Sequence, residues 1–201
     1  EAPRAFSAMR PPGHHAEPME AMGFCVFNNV AVAAMQARAV HKLSRLAIFD
    51  FDVHHGNGTQ NTFYDDPDTL YVSTHQSPLY PGTGLVGERG IKGNILNRPL
   101  PPGTGSDAWR RVVERDVLPA IDGWRPQLIF ISAGFDAHAE DPLANMALFE
   151  EDFIWVSREL CALAERHCDG KIVSVLEGGY DPAALARSVV AHLKVLAEER
   201  S

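Results

Sequence analysis

The sequence has little cysteine, no long apolar run and no block of one charge sign, and each absence narrows what the chain can be. Its three cysteines, Cys25, Cys161 and Cys168, lie far apart and form no CxxC pair. That spacing speaks against a disulfide framework, and reduced thiols in a reducing compartment are expected. No stretch approaches the ~18 consecutive apolar residues of a membrane span, and no charged-then-apolar leader opens the chain, so a cytoplasmic protein without a membrane partner is expected. Lys and Arg number 18 against 26 Asp and Glu, a net charge of −8 with no basic stripe, which argues against nucleic acid as a partner. Internal repeats, low-complexity segments and linkers are missing too. The 201 residues, 45% of them hydrophobic, are therefore read as a single domain, 1–201. The chain also opens at Glu1 without an initiator Met and reaches its first histidines by His14, the pattern expected of a fragment or processed piece.

What is present is a regular alternation of apolar runs and amphipathic stretches. Strands are expected at Ala5–Arg10, Leu46–Asp52, Thr69–Thr74, Gln127–Ser132 and Lys171–Leu176. Helices are expected at Val30–Val40 behind an Asn28-Asn29 cap, at Asn57–Tyr64, at Ser106–Trp124 with Ser106 as cap, at Phe149–His167, and at Pro182–Glu199 with Asp181 as cap. The glycine- and proline-rich stretch Gln76–Asn94 is expected to be an irregular loop. Strand runs that are apolar on both faces point to an α/β fold, an open and mostly parallel sheet flanked by helices.

The chemistry gathers around Leu46-Ala-Ile-Phe-Asp50-Phe-Asp52-Val-His54-His55-Gly56. Alternation along a strand puts Asp50, Asp52 and His54 on one side and Phe51 and Val53 on the other. Two carboxylates and an imidazole buried together are costly unless a cation compensates them, and Asp with His suits zinc. Ligands of parallel sheets bind beyond the carboxyl ends of the strands. Asp136, after a second strand, is the natural third ligand, and Asp52, His54 and Asp136 leave positions open, as in a catalytic site. The doublets His14-His15 and His54-His55 and the turn Glu177-Gly-Gly-Tyr180 belong to the same edge. His41, His167 and His192 are read as surface residues, and Asp141-Pro142 as a turn.

The run Arg10-Pro-Pro-Gly-His-His-Ala16, with Gly23-Phe-Cys25, Asp50-Phe-Asp-Val-His-His-Gly-Asn-Gly-Thr59, Tyr80-Pro-Gly-Thr-Gly84, Gly134-Phe-Asp136 and Glu177-Gly-Gly-Tyr180, resembles the arginase-fold deacetylases from about Ala5 to Glu199. Within that superfamily it is most similar to class II histone deacetylases and their bacterial amidohydrolase relatives. The resemblance implies one catalytic zinc on Asp52, His54 and Asp136, with His14 and His15 as tandem histidines, His15 being the general base and acid. Tyr180 would donate to the developing oxyanion. Phe24 and Tyr80 would wall a tunnel for an acyl-lysine-like chain, with Gly23 and Gly179 leaving room for it. Asp50 would orient His14, and Asn57 would face His15 where some branches place Asp. Structural potassium would sit at Asp50, Ser73 and the backbone of Thr74, and a second monovalent ion at carbonyls near Phe63, Asp66 and Thr69. The implied substrate is an acetylated lysine in a peptide or protein, or an acetylpolyamine.

Family members carry a segment ahead of the Pro-Pro-Gly-His-His motif, so the N-terminal part of the fold is expected to be missing. An uncovered sheet flank would then favour homo-oligomers through an exposed edge. Two other functions compete: a non-catalytic acyl-lysine-binding fragment, and an arginase-like ureohydrolase with two manganese ions, which needs more bridging Asp and His residues than are seen here.

Overall fold

The structure, a computed structural model, describes residues 3–198. Six strands, β1 (Arg4–Ser7), β2 (Leu46–Asp50), β3 (Thr69–Gln76), β4 (Ile95–Leu100), β5 (Leu128–Ala133) and β6 (Ile172–Leu176), form one sheet in the order β1-β6-β5-β2-β3-β4. Every neighbouring pair is parallel. Helices α1 (Asn29–His41) and α2 (Asn57–Phe63) cover one face. On the other lie α3 (Ser106–Val112), α4 (Leu118–Trp124), α5 (Glu150–Cys168) and α6 (Pro182–Leu196). Both faces are apolar, and alternation divides them. Leu46 and Ile48 of β2 pack with Val30, Ala34 and Phe130 on the α1 side, whereas Ala47 and Phe49 pack with Trp109, Phe153 and Leu160 on the other. Among the described residues no helix is long and apolar enough to cross a membrane.

Chain order reverses between β5 and β2: β2 leads outward to β3 and β4, and β5 leads the opposite way to β6. The carboxyl ends of those two adjacent central strands therefore border the crevice in which an open α/β sheet binds its ligand. Asp52 and His54 follow one of them and Asp136 the other.

Several local expectations change. Strand β1 is Arg4–Ser7, so the chain leaves the sheet before Arg10. Strand β2 ends at Asp50, two residues before the expected Asp52. Strand β4 has no counterpart among the expected strands, because Asn97, Arg98 and Pro99 break its apolar pattern; proline is tolerated there because the strand is an edge. The expected helix Ser106–Trp124 is two α-helices joined by a π-helical turn at Val113–Val117. Pro119 follows that turn and has no N–H for the i−4 carbonyl. Ser106 is not its cap: Gly105 takes that position, and the Ser106 hydroxyl donates to Asp152 at 2.6 Å. Caps at Asn28 and Asp181 form, each side chain accepting a backbone N–H, from Ala31 and Ala184. The last helix ends at Leu196, and Glu199 lies outside the described residues.

His192 is not a surface residue. It is fully buried, and its Nδ1 and Nε2 meet the hydroxyls of Ser157 at 2.6 Å and Ser174 at 2.9 Å. Two hydroxyls satisfy a neutral ring without any counter-charge, and burial pulls its pKa down to about 4. The folded protein thus holds this ring neutral while the unfolded chain takes up a proton at the ordinary value of 6.5. Its contribution is intact above pH 6.5 and is lost as the pH falls towards 4, a destabilisation of ~3 kcal/mol in all. Urea melts at pH 7 and pH 4.5 are expected to show a smaller acid loss for His192→Gln than for the native chain; equal losses would refute the assignment.

Candidate metal centre

Beyond Asp50 carboxylates hold the chain alongside two backbone bonds to the neighbouring strands, Phe51 N–H to the Ser132 carbonyl at 3.2 Å and Gln76 N–H to the Val53 carbonyl at 2.8 Å. Asp50 Oδ1 accepts from the Asp52 N–H, Asp52 Oδ1 from the His54 N–H at 2.8 Å, and Asp136 Oδ1 from the Val53 N–H at 2.9 Å. Phe51 and Val53 still point into the core beneath, as alternation requires, which leaves Asp52 and His54 facing the crevice. There one ligand atom each of Asp52, His54 and Asp136 lies within 4.8 Å of the others, and all three residues are buried. His54 Nδ1 is 3.1 Å from Asp52 Oδ1 and 3.0 Å from Asp136 Oδ2.

Two glycines make this convergence possible. A Cβ on Gly178 would overlap the carboxylates of Asp136 and Asp52, and one on Gly134 would overlap that of Asp52. Gly178 also donates its N–H to Asp52 Oδ2 at 2.7 Å. The electrostatics match the donor set. Burial and the charge of Asp52 push the Asp136 carboxyl up. Burial would lower His54, but its bonds to Asp136 and Asp52 raise it to about 10. The cluster thus retains positive charge among its carboxylates, and a divalent cation on the same three atoms would meet that need.

The tandem histidines stand beside this set with their rings 4.1 Å apart. His14 Nδ1 donates to Asp50 Oδ2 at 3.0 Å, and its Nε2 lies 3.7 Å from Asp52 Oδ1. His15 Nδ1 meets the Asn57 side-chain oxygen at 2.8 Å. Asn57 directs its amide nitrogen at Glu17, so the oxygen faces His15 and the proton is placed on Nδ1, leaving Nε2 with its lone pair. Their charges are driven apart. Burial would lower His14, but Asp52 and Asp50 raise it well above the usual value. Burial and the neighbouring His14 drop His15 to about 3. Two adjacent imidazoles, one charged and one neutral, are the arrangement by which environment assigns different proton roles to like groups.

A cavity of about 440 Å³ opens above, lined by His15, Gly23, Phe24, His54, Leu79, Tyr80, Leu143 and Tyr180. The Tyr80 ring stands edge-on to His15 at 5.1 Å, and Phe24 faces Tyr180 at 6.0 Å. Gly23 leaves room for the His15 ring, which a Cβ would overlap. Gly179 does not line the cavity; its bare Cα clears Leu185 instead, at a φ of +135°. A larger groove of about 740 Å³, along α1 and the Pro18–Ala21 loop, contains none of these groups.

Asp50 and Ser73 are register partners across β2 and β3, and Thr74 follows. Ser73 Oγ bonds His75 Nδ1 at 2.9 Å, and Tyr71 donates to Asp50 Oδ2. The carbonyls of Phe63, Asp66 and Thr69 also converge, onto the Asn94 side-chain amide at 2.9, 3.0 and 3.2 Å. Two residues have supporting roles that the sequence reading did not assign. Asp141 lies in the expected Asp141-Pro142 turn, but it is buried and accepts the Tyr180 N–H at 2.7 Å. Glu177 is fully buried and accepts the N–H groups of Gly13 at 2.6 Å and His14 at 3.1 Å. Asp141 carries no local signal beyond its turn, and Glu177 none beyond heading the Glu177-Gly-Gly-Tyr180 turn.

Residues 1–196 match the histone deacetylase domain model. The chain belongs to the histone deacetylase family. It is 45% identical over 204 residues to histone deacetylase 14, chloroplastic, of Arabidopsis thaliana, a match covering 100% of this chain and 48% of that protein. The histone deacetylase-like amidohydrolase of Pseudomonas aeruginosa is 46% identical over 205 residues, with 100% of this chain and 54% of that protein covered. Among solved structures, the crystal structure of the HDA15 HD domain superposes with a TM-score of 0.89 at 39% identity, over 95% of this chain and 55% of that one. The chain thus spans about half the length of the relatives it matches. They bear out the expected class II and bacterial amidohydrolase likeness and the open parallel sheet.

Proposed function

We propose that this chain is the metal-binding part of a zinc-dependent deacetylase that hydrolyses the N-acetyl amide of a lysine side chain or a related acetylated amine. The observation that carries the reading is the buried Asp52–His54–Asp136 convergence at the floor of a cavity walled by His15 and Tyr180. The chemistry zinc supplies on such a set is Lewis acidity, which polarises a carbonyl and lowers the pKa of a water to roughly 7. The protein does the rest. His15, neutral and with its Nε2 lone pair free, takes a proton from the attacking water and returns it to the leaving amine. His14, tied to Asp50, adds positive charge beside it. Tyr180 donates its phenol O–H where negative charge develops on the acetyl oxygen. Phe24 and Tyr80 flank the aliphatic chain of the substrate.

Potassium belongs to the same reading at Asp50, Ser73 and Thr74. At the Phe63, Asp66 and Thr69 carbonyls, a cation would need Asn94 to turn its amide oxygen towards them. Association of copies along the β1 edge and a cytoplasmic location complete the proposal. A non-catalytic acyl-lysine-binding role is the second reading, and the same cavity lined by Phe24, Tyr80 and Tyr180 would serve it.

Turnover of an acetyl-lysine peptide and of N-acetylputrescine, each with and without a chelator, tests both. Chelator-sensitive hydrolysis with a higher kcat/KM for the peptide is the expected result. Faster N-acetylputrescine hydrolysis would mark a polyamine enzyme, and peptide binding without hydrolysis the binding fragment.

A further inference from the structure

The segment that leads into the tandem histidines and the turn that carries Tyr180 hold each other through one side chain apiece. From the turn, Glu177 grips the N–H groups of Gly13 and His14. From the segment, one guanidinium nitrogen of Arg10 donates to the carbonyls of Glu177 at 3.0 Å and Gly179 at 3.4 Å. The same guanidinium lies 5.3 Å from the centre of the Tyr180 ring. We propose that Arg10 is a positioning residue for Tyr180: its guanidinium, strapped across two carbonyls of the Glu177–Tyr180 turn and laid against the phenol ring, sets where the hydroxyl points. The inference rests on the reading of Tyr180 as the oxyanion donor.

The turn needs such a strap. Gly178 and Gly179 must be glycine for the carboxylates below and for Leu185 behind. Gly178 is tied through its N–H to Asp52 and through its carbonyl to the Phe135 N–H, whereas Gly179, at a φ of +135°, is the flexible link to Tyr180, and its carbonyl is the one Arg10 reaches. Asp141 fixes only the Tyr180 N–H, at one point. Nothing in that bond sets the ring torsion, whereas a planar cation against the ring face restricts it. Arginine suits both tasks at once, because its flat fork bonds carbonyls in its plane and stacks with its face. Lysine could reach one carbonyl but would lose the planar contact. Arg10 is exposed, so its replacement leaves the core intact.

The chain contains four tyrosines, so labelling with 3-fluorotyrosine gives a short fluorine spectrum in which Tyr180→Phe identifies the Tyr180 line. Arg10→Gln is expected to shift and broaden that line while the line of Tyr71, a buried residue of β3, stays put. Arg10→Lys should fall between. On an acetyl-lysine peptide, Arg10→Gln should lower kcat about tenfold, ~1.4 kcal/mol of barrier, with KM within about twofold. The same substitution should do nothing further in the Tyr180→Phe background. An unmoved Tyr180 line, or an equal loss of kcat in both backgrounds, overturns the proposal. Absence of turnover in the native chain would count against the deacetylase reading, and the fluorine spectrum would still decide the role of Arg10.

Discussion

Asp52→Ala is expected to abolish stoichiometric zinc uptake, weakening binding by ~100-fold or more in isothermal titration. Loss of a partner that merely orients a metal ligand costs about 10–100-fold, and Asp52 stands among the proposed donors themselves. It is also the hub of the centre. One oxygen accepts the His54 N–H and sits 3.1 Å from the His54 ring, and the other accepts the Gly178 N–H at 2.7 Å. Alanine leaves those two buried N–H groups without acceptors, at about 1–3 kcal/mol each. The thermal midpoint must therefore be followed beside the titration. Asp52→Asn, which still offers one acceptor, separates lost affinity from lost fold. Asp122→Ala, which breaks an exposed ion pair with Arg166, should leave uptake unchanged. Native-like uptake by a folded Asp52→Ala protein would sink the ligand assignment.

The second large effect belongs to Tyr180. Tyr180→Phe keeps the ring against Phe24 and beneath the Arg10 cation and removes only the hydroxyl. Removing one oxyanion donor costs roughly 100- to 1000-fold in kcat, about 3–4 kcal/mol. The donor acts only as charge develops, so KM and zinc uptake should hardly change. Burial and the nearby charges of Asp52 and Asp136 push the phenol pKa up, so the hydroxyl keeps its proton throughout the neutral range and gives the pH profile no basic limb of its own. Matching kcat values for the variant and the native chain would remove Tyr180 from the mechanism. A large rise in KM would assign it to substrate binding instead.

Much of this architecture was legible because its signals are local. The runs Leu46-Ala-Ile-Phe and Leu128-Ile-Phe-Ile-Ser can only be strands buried on both faces, and both are central in the sheet. Asn28 and Asp181 mark helix starts by hydrogen bonds that reach three residues ahead. β4 was not legible, since its sequence makes sense only once it is known to be an edge. His192 was misread for a related reason: nothing next to it in the chain announces Ser157 and Ser174, and a lone histidine on an amphipathic helix defaults to the surface.

The sequence by itself determined the alternating α/β pattern, the parallel sheet and the placing of Asp50, Asp52 and His54 on one side of a strand end, because strand alternation acts on neighbours in the chain. Only the tertiary structure decided that β2 and β5 lie side by side at the reversal of strand order, bringing Asp136 to residues some eighty positions away. It alone decided that Asp141 and Arg10 support Tyr180, that Gly179 serves Leu185 and not the cavity, and that Asn94 meets the three carbonyls. Those partners are brought together by sheet order and side-chain packing, which no short stretch of sequence encodes.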